Sequence, residues 1–281
     1  MECLLCRLSL AGWLGLCGNL SWRRLRADRG MSQVFLAEIQ GSLATITFCR
    51  PEKHNALEIA DLEALDAALI GLAGRSDIRT LLLCAQGKSF CAGVDFGAVS
   101  GHDWRDNPLE RVSDRLENLP FPTLCVLQGG VYGGGTDLAL ACDFRIGARG
   151  IRCFIPPAKL GIQYHPHGLK RAVTRLGLGP AKRLFLATET FDDAEMLRTG
   201  FLDWLVEPDA LSERAQALAA TFSALAPQAV RGMKQSLNEV AAGLFDERAA
   251  RDRAAGSFRT ADFQEGRAAM AEKRPPKFSG Q

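Results

Sequence analysis

Residues 131–144 read VYGGGTDLALACDF: three glycines run straight into an apolar, helix-like stretch, and Asp137 is the one acid within reach of them. Glycine loses more conformational freedom on folding than any other residue, so three in a row cost stability unless the backbone must bend sharply or let something approach closely. One reading is a tight strand-to-helix turn. The other is a site for developing negative charge, because the first N–H groups of a helix are unpaired and carry partial positive charge. Asp137, three positions past Gly134, falls on nearly the same helix face as that glycine. Several commoner chemistries are absent from the pattern. No G-K-[ST] follows the glycines as in a phosphate loop, there is no G-x-G-x-x-G dinucleotide spacing, and no G-x-S-x-G elbow marks a serine hydrolase.

The remaining reactive side chains read as structural. Cys91 has no histidine partner identifiable in the sequence and reads as a small core residue. His165 and His167 flank a proline without acids close by in the chain, and read as loop residues, not metal ligands. Asp95 reads as a loop cap or brace. The C-x-x-C pair Cys3 and Cys6 has no second pair to complete a zinc site, so no metal is expected. The nine cysteines are odd in number, and many lie in apolar runs, as Cys84, Cys125 and Cys142 do; that pattern predicts reduced thiols in a cytoplasmic protein.

These residues must be positioned by a fold, and the pattern predicts an α/β one. The 281 residues are 47% apolar and 23% charged, an ordinary globular composition. A net charge of +2, with both signs interspersed, gives no basic face for nucleic acid, and no apolar stretch is long enough to span a membrane. VFLAEI (34–39) and LATITF (43–48) predict strands, as do the apolar runs IRTLLLCAQG (78–87), TLCVLQGG (123–130) and DFRIGA (143–148). Leu62, Leu65, Leu69 and Leu72 recur at helical spacing within a predicted helix over 59–73. Strands alternating with helices imply largely parallel sheets. Beyond residue 168 helical patterns dominate, with Pro180, Pro208 and Pro227 placed where first-turn prolines are tolerated. The expected organisation is an N-terminal extension (1–30), an α/β core (31–167) and a helical C-terminal region (168–281). The first thirty residues, with Arg23, Arg24, Arg26 and Arg29, read as a disordered extension or an over-long start before Met31; the alternative is an organelle presequence, which would place the protein in the mitochondrial matrix.

Five ordered segments resemble a known family. SFCAGVDF (89–96) and GGVYGGGTDLALACDFRI (129–146) are similar to the paired signature of the crotonase superfamily, the enoyl-CoA hydratases and isomerases. RPEKHNAL (50–57), PPAKLGI (156–162) and DFQEGRAAMAEKRPPKFSG (262–280) match further family segments in the same order. The resemblance spans residues 34–280 and implies a crotonase-like spiral of ββα units with a C-terminal helical region, assembled as a homotrimer or dimer of trimers. It implies an acyl-CoA thioester as substrate and no cofactor beyond the coenzyme A moiety. It places the two oxyanion-hole N–H groups at Val94 and Gly134 and the adenine contact at the Ala92 backbone, with Arg50 and Lys53, and more weakly Lys273, Arg274 and Lys277, as phosphate partners.

Such a pair of fixed donors suits a thioester that becomes an enolate, each donor being worth about 2.7–4 kcal/mol in comparable sites. Resembling hydratases carry two glutamates. Here the first corresponds to Asp137, one methylene shorter, and the second to Pro157, which cannot titrate. The stretch LGIQYHPHG (160–168) is most similar to methylmalonyl-CoA decarboxylase-like members, where a tyrosine matching Tyr164 contacts the substrate carboxylate. Loss of CO2 needs no general base, since the leaving carboxylate supplies the electrons. Decarboxylation of a malonyl- or methylmalonyl-like CoA is therefore the expected reaction. The alternatives are an enoyl-CoA hydratase or isomerase with Asp137 as sole acid/base, and a non-catalytic member that binds acyl-CoA or a protein.

Overall fold

A computed structural model describes the backbone of residues 23 and 24 together with residues 34–95, 97 and 102–281. The expectation for residues 1–30 lies outside the described residues, apart from strand β1 (Arg23–Arg24), which pairs antiparallel with Ile39 and Glu38. Strands β2 (Phe35–Gln40) and β3 (Leu43–Phe48) form an antiparallel hairpin, and β3 leads through the 50–57 turn into helix α1 (Ile59–Ala73). Leu62, Leu65, Leu69 and Leu72 are the buried face of that helix, as their spacing predicts.

From there a ββα unit recurs three times. Strand β4 (Thr80–Ala85) is followed by β5 (Ser89–Cys91) and α2 (Pro108–Glu117). Strand β6 (Thr123–Leu127) is followed by β7 (Gly130–Tyr132) and α3 (Gly134–Ala141). Strand β8 (Phe144–Ala148) is followed by β9 (Arg152–Phe154), a 3-10 turn over Pro157–Leu160 and α4 (Pro166–Leu176). The first strand of each unit joins a large sheet, and the second joins a small one. The large sheet runs β1-β2-β3-β4-β6-β8-β11, parallel from β3 onward; the small one runs β10-β9-β7-β5, with β5, β7 and β9 parallel. The central strands are buried along almost their whole length, which is why they read as unbroken apolar runs instead of alternating ones.

The C-terminal half holds helices α5 (Leu178–Phe185), α6 (Asp193–Arg198), α7 (Leu211–Ser223), α8 (Pro227–Ala242), α9 (Glu247–Ser257) and α10 (Ala261–Glu272). It also supplies two short strands, β10 (Phe191–Asp192) and β11 (Trp204–Val206); β11 pairs in parallel with β8, so the region beyond residue 168 completes the large sheet. Buried Arg145 fastens that seam through Phe201 O at 2.5 Å and Asp203 Oδ2 at 3.0 Å. Lys234 on α8 reaches Asp143 Oδ2 at 2.7 Å and Phe121 O at 3.0 Å, tying the helical region to the ends of the core strands. Among the described residues no helix is long and apolar enough to cross a membrane.

The 50–57 turn is what fixes the segment after β5. Asn55 is fully buried in a left-handed conformation (φ 55°). Its side chain accepts from the Arg50 N–H and donates to the carbonyls of Gln86 and Ser89, each at 2.9 Å. Leu57 then brackets the loop: its N–H donates to Gly93 O at 2.8 Å and its carbonyl accepts the Asp95 N–H at 2.9 Å. Asn55→Ala strands the Arg50 N–H and the Gln86 carbonyl, while Ser89 O keeps the Gln128 side chain at 3.1 Å; a buried group left unpaired costs about 1–3 kcal/mol. A lowered midpoint in denaturant unfolding, with unchanged slope, is the expected result, and an unchanged midpoint would remove the turn from this role.

Candidate active site

Strands β5 and β7 are parallel neighbours, with Cys91 opposite Val131, so the segments leaving their C-terminal ends lie side by side. The first is residues 92–95; the second is residues 133–135. Three constraints account for the glycines. Gly133 has φ 51° and ψ −122°, a backbone that L side chains rarely adopt, and its N–H donates to Phe154 O at 3.0 Å. A Cβ on Gly135 would stand 2.4 Å from Cys91 O. A Cβ on Gly93 (φ 86°) would stand 2.4 Å from the Gly134 nitrogen. The two loops thus touch backbone to backbone, and the peptide carrying the Val94 N–H adjoins the Gly134 N–H at the start of α3. Neither amide is spent on an acceptor among the described residues. Ala92 lies on the same loop, its N–H bonded to His54 O at 3.0 Å.

Cys91 beneath this junction is fully buried; it donates to Asn55 O at 3.2 Å and accepts the Gly93 N–H at 3.3 Å. Burial pushes its thiol up to about 12, so it stays a neutral core group. Asp95 braces its loop through the Gly97 N–H at 3.1 Å. Lys53, more than half exposed, has its ammonium 3.8 Å from Asp95 Oδ2, beside this loop. Arg50 is turned inward: it is 8% exposed and bonds both oxygens of Asp61, at 2.7 and 3.2 Å. A phosphate at Arg50 would have to compete with that carboxylate. Near the C-terminus Arg274 is held by Glu265 and Glu272, each at 2.6 Å.

Asp137 lies one turn into α3 and is 2% exposed. Its Oδ1 accepts from Arg171 Nη1 at 2.6 Å. Burial alone would push this carboxyl up, but the His165 ring and the Arg171 charge outweigh it and hold it below the ordinary carboxylate value. Arg171, on α4, also meets Asp114 Oδ1 at 2.7 Å and Glu117 Oε2 at 3.3 Å, both from α2. Its guanidinium is set against desolvation by these three carboxylates, which raise its pKa. Asp137 is therefore ionised near neutrality, and one of its oxygens is committed to Arg171.

The other neighbours of Asp137 come from α4 and its cap. His165 caps that helix, its Nδ1 accepting the Gly168 N–H at 3.1 Å. His165 ends the loop before α4 and His167 sits in the first turn of that helix, each with acids nearby in space that the chain does not show. His165 is buried, with Nδ1 3.4 Å from Glu110 Oε1 and Nε2 3.3 Å from Asp137 Oδ2; His167 has Nδ1 2.5 Å from Asp114 Oδ2. Glu110 and Asp114 come from α2 and Asp137 from α3, all far away in sequence. Tyr164 stacks on the His165 ring at 4.5 Å and packs edge-on against Phe185 at 5.0 Å. Its hydroxyl is buried without a partner, as are Asp137 Oδ2 and His165 Nε2. Burial, and next the Asp137 charge, push the Tyr164 hydroxyl well above its usual value, so it remains a neutral donor. Pro157, which the resemblance matches to the second acid, opens the 3-10 turn that follows β9, next to Pro156, whose Cδ lies 3.8 Å from where a Gly133 Cβ would stand.

The sequence reading missed Arg171, Glu110, Asp114 and Glu117. A signal was present: Glu110, Asp114 and Glu117 recur at i, i+4 and i+7 after an Asn107–Pro108 helix start, one acidic face in want of a basic partner.

Paired sheets wound from ββα units, with two adjoining loop amides at the start of a helix that carries a buried acid, are what the five sequence segments led one to expect. The comparisons agree. The Enoyl-CoA hydratase/isomerase family model matches residues 38–281, and the chain belongs to that family. A probable enoyl-CoA hydratase of Mycobacterium tuberculosis is 33% identical over 245 residues, covering 85% of this chain and 96% of the relative. A probable enoyl-CoA hydratase of Rhizobium meliloti is 30% identical over 254 residues, covering 88% and 98%. The crystal structure of the enoyl-CoA hydratase from Bacillus anthracis superposes with a TM-score of 0.82 at 27% identity, covering 89% of this chain and all of that one. The crotonase-like fold expected from the sequence is thus the fold observed.

The Asp137–Arg171 pair yields a pH test. A carboxylate whose folded pKa is depressed contributes stability above its unfolded value, lost as pH falls through the folded one. Arg171→Met leaves Asp137 buried and largely uncompensated, at a cost of about 3–5 kcal/mol near neutrality. The carboxyl is then pushed up, so the folded variant binds the extra proton and gains stability on acidification. Thermal melts from pH 8 to pH 5 should show the variant recovering while the wild type does not; parallel curves would contradict the pairing.

Proposed function

We propose that this family member stabilises a thioester enolate between the Val94 and Gly134 amides, and that its reaction is loss of CO2 from a malonyl- or methylmalonyl-like CoA. The observation that carries the reading is the state of the acids. Asp137 is ionised and held by Arg171 at 2.6 Å, and Pro157 stands where a second acid would be needed. Two-acid hydration has no second partner here. Decarboxylation asks least of such a site: the C–C bond breaks, its electron pair enters the thioester, and the charge collects at the two fixed donors without reorganisation. The Tyr164 hydroxyl, buried and unpartnered, supports a contact with the departing carboxylate. Ala92 and Lys53 are the proposed coenzyme A contacts on this face, with Arg50 available only in competition with Asp61.

A second reading, hydration or double-bond isomerisation with Asp137 as sole acid/base, is favoured by one feature. Asp137 Oδ2 has no hydrogen-bond partner and can act as a base. We also infer that further copies of this chain, as a trimer or dimer of trimers, cover the exposed apolar side chains Met233, Leu237, Val240 and Leu244 along and after α8.

Parallel assays on methylmalonyl-CoA, malonyl-CoA, crotonyl-CoA and a 3-enoyl-CoA separate the two. CO2 release as the fastest reaction is expected; faster hydration or isomerisation would replace the first reading by the second. Tyr164→Phe should slow decarboxylation about 10–100-fold, the worth of a hydrogen bond to a charged group, with smaller loss of thioester binding. Equal loss of both would reduce Tyr164 to packing. Asp137→Asn should spare decarboxylation more than hydration, and complete loss of CO2 release in that variant would refute the proposed mechanism.

A further inference from the structure

We propose that Leu109 limits the size of the acyl group this site accepts, by filling the space beside the Gly134 amide. The inference deepens the reading above and rests on one part of it, a thioester oxygen held by the Val94 and Gly134 amides. A Cβ added to Gly134 would stand 2.7 Å from Leu109 Cδ2, and 3.4 Å from both Leu109 Cδ1 and the Gly93 Cα. The leucine's two methyl groups and the first amide loop thus converge on one point of the second. Gly134 opens α3, and in a helical residue the N–H and the Cα–Cβ direction are nearly eclipsed about the N–Cα bond. Whatever fills the Cβ direction therefore flanks whatever the N–H holds. An oxygen bound to that N–H at ordinary length stands about 3.5 Å from the same point.

Leu109 is not free to swing aside. It is 4% exposed and sits in the first turn of α2, directly after Pro108. The Asn107 side chain accepts the Leu109 N–H at 3.0 Å and the Glu110 N–H at 3.3 Å, so the turn that carries the leucine is capped. Glu110, the next residue, is anchored to α4, where it accepts the His167 N–H at 2.9 Å. Cap, anchor and burial together hold the side chain against the glycine. In surroundings this close-packed, a change of one methylene is felt.

A thioester bound there has two sides. Its sulfur leads to the coenzyme A moiety, which the reading above assigns to Ala92 and Lys53 on the first loop. The α-carbon then lies toward α3, where Leu109 meets Gly134. Hydrogen or a methyl group on that carbon needs little space, whereas a longer branch must displace a side chain with nowhere to go. The substrate class that follows is a thioester of the malonyl or methylmalonyl kind, with ethylmalonyl-like and bulkier α-branched groups excluded.

The test reads selectivity, first in binding, where no bond has to break. By calorimetry the wild type should bind isobutyryl-CoA at least about 10-fold more tightly than 2-ethylbutyryl-CoA, the scale on which an apolar pocket rejects added methylenes. Leu109→Ala, which truncates the side chain to a methyl group, should bring the two affinities within about 3-fold of each other. Leu109→Val should move the ratio the same way by less, and it carries the test if the alanine variant fails to fold. CO2 release from methylmalonyl-CoA and ethylmalonyl-CoA should follow the same order in all three proteins. A leucine that only supports the fold would weaken both ligands alike and leave the ratio unchanged. That result, or equal binding of the two ligands by the wild type, would overturn the assignment, and CO2 release alongside it would leave the decarboxylation reading standing. A shifted binding ratio without CO2 release from either malonyl thioester would overturn the decarboxylation reading alone and keep Leu109 in its role.

Discussion

A single guanidinium sets what this site can do. Arg171 is sealed among Asp137, Asp114 and Glu117, and a buried charge survives only if it is paired and hydrogen-bonded on nearly every side. Three helices are held in register by that requirement: α2 brings Asp114 and Glu117, α3 brings Asp137, and α4 brings Arg171 itself. The same contact decides the protonation of Asp137. The pairing with Arg171 holds that carboxyl below its ordinary value and occupies one of its two oxygens.

The two amides are positioned by different means. They come from loops, yet loops whose freedom has been removed. The 50–57 turn clamps residues 93–95 from one side through Leu57, and Gly133, Gly135 and Gly93 allow backbone contacts that any side chain would prevent. Under the proposed function, donors fixed in this way need no movement when charge develops, which would be a physical reason to spend conformational entropy on glycine at this one place.

Much of this was legible in the sequence. The central strands and α1 showed as apolar runs and a leucine face, and the glycine triplet with Asp137 marked the site. The elements that escaped notice were α2, α4 and the short strands β5, β7 and β9. Three-residue strands leave too few positions for a period to show, and both helices are weighted with charge because their faces pair with each other. Arg171 and Asp114 lie 57 positions apart, and only the winding of three ββα units brings them together. The acids around His165 stayed hidden for the same reason: they are its neighbours in space alone. Arg50, by contrast, was expected as a phosphate partner, and Asp61, eleven positions on, draws it inward.

Strand β11 gives the fold one more property. Its three residues, with Asp203 just before them, pair with the flank of β8, four of whose five positions are buried. A polypeptide cut after the third ββα unit would present that flank as a naked, apolar hydrogen-bonding rail, the kind of edge on which other chains nucleate. Strand β11 therefore closes that edge of the large sheet, and a chain shorter than 206 residues would leave it open.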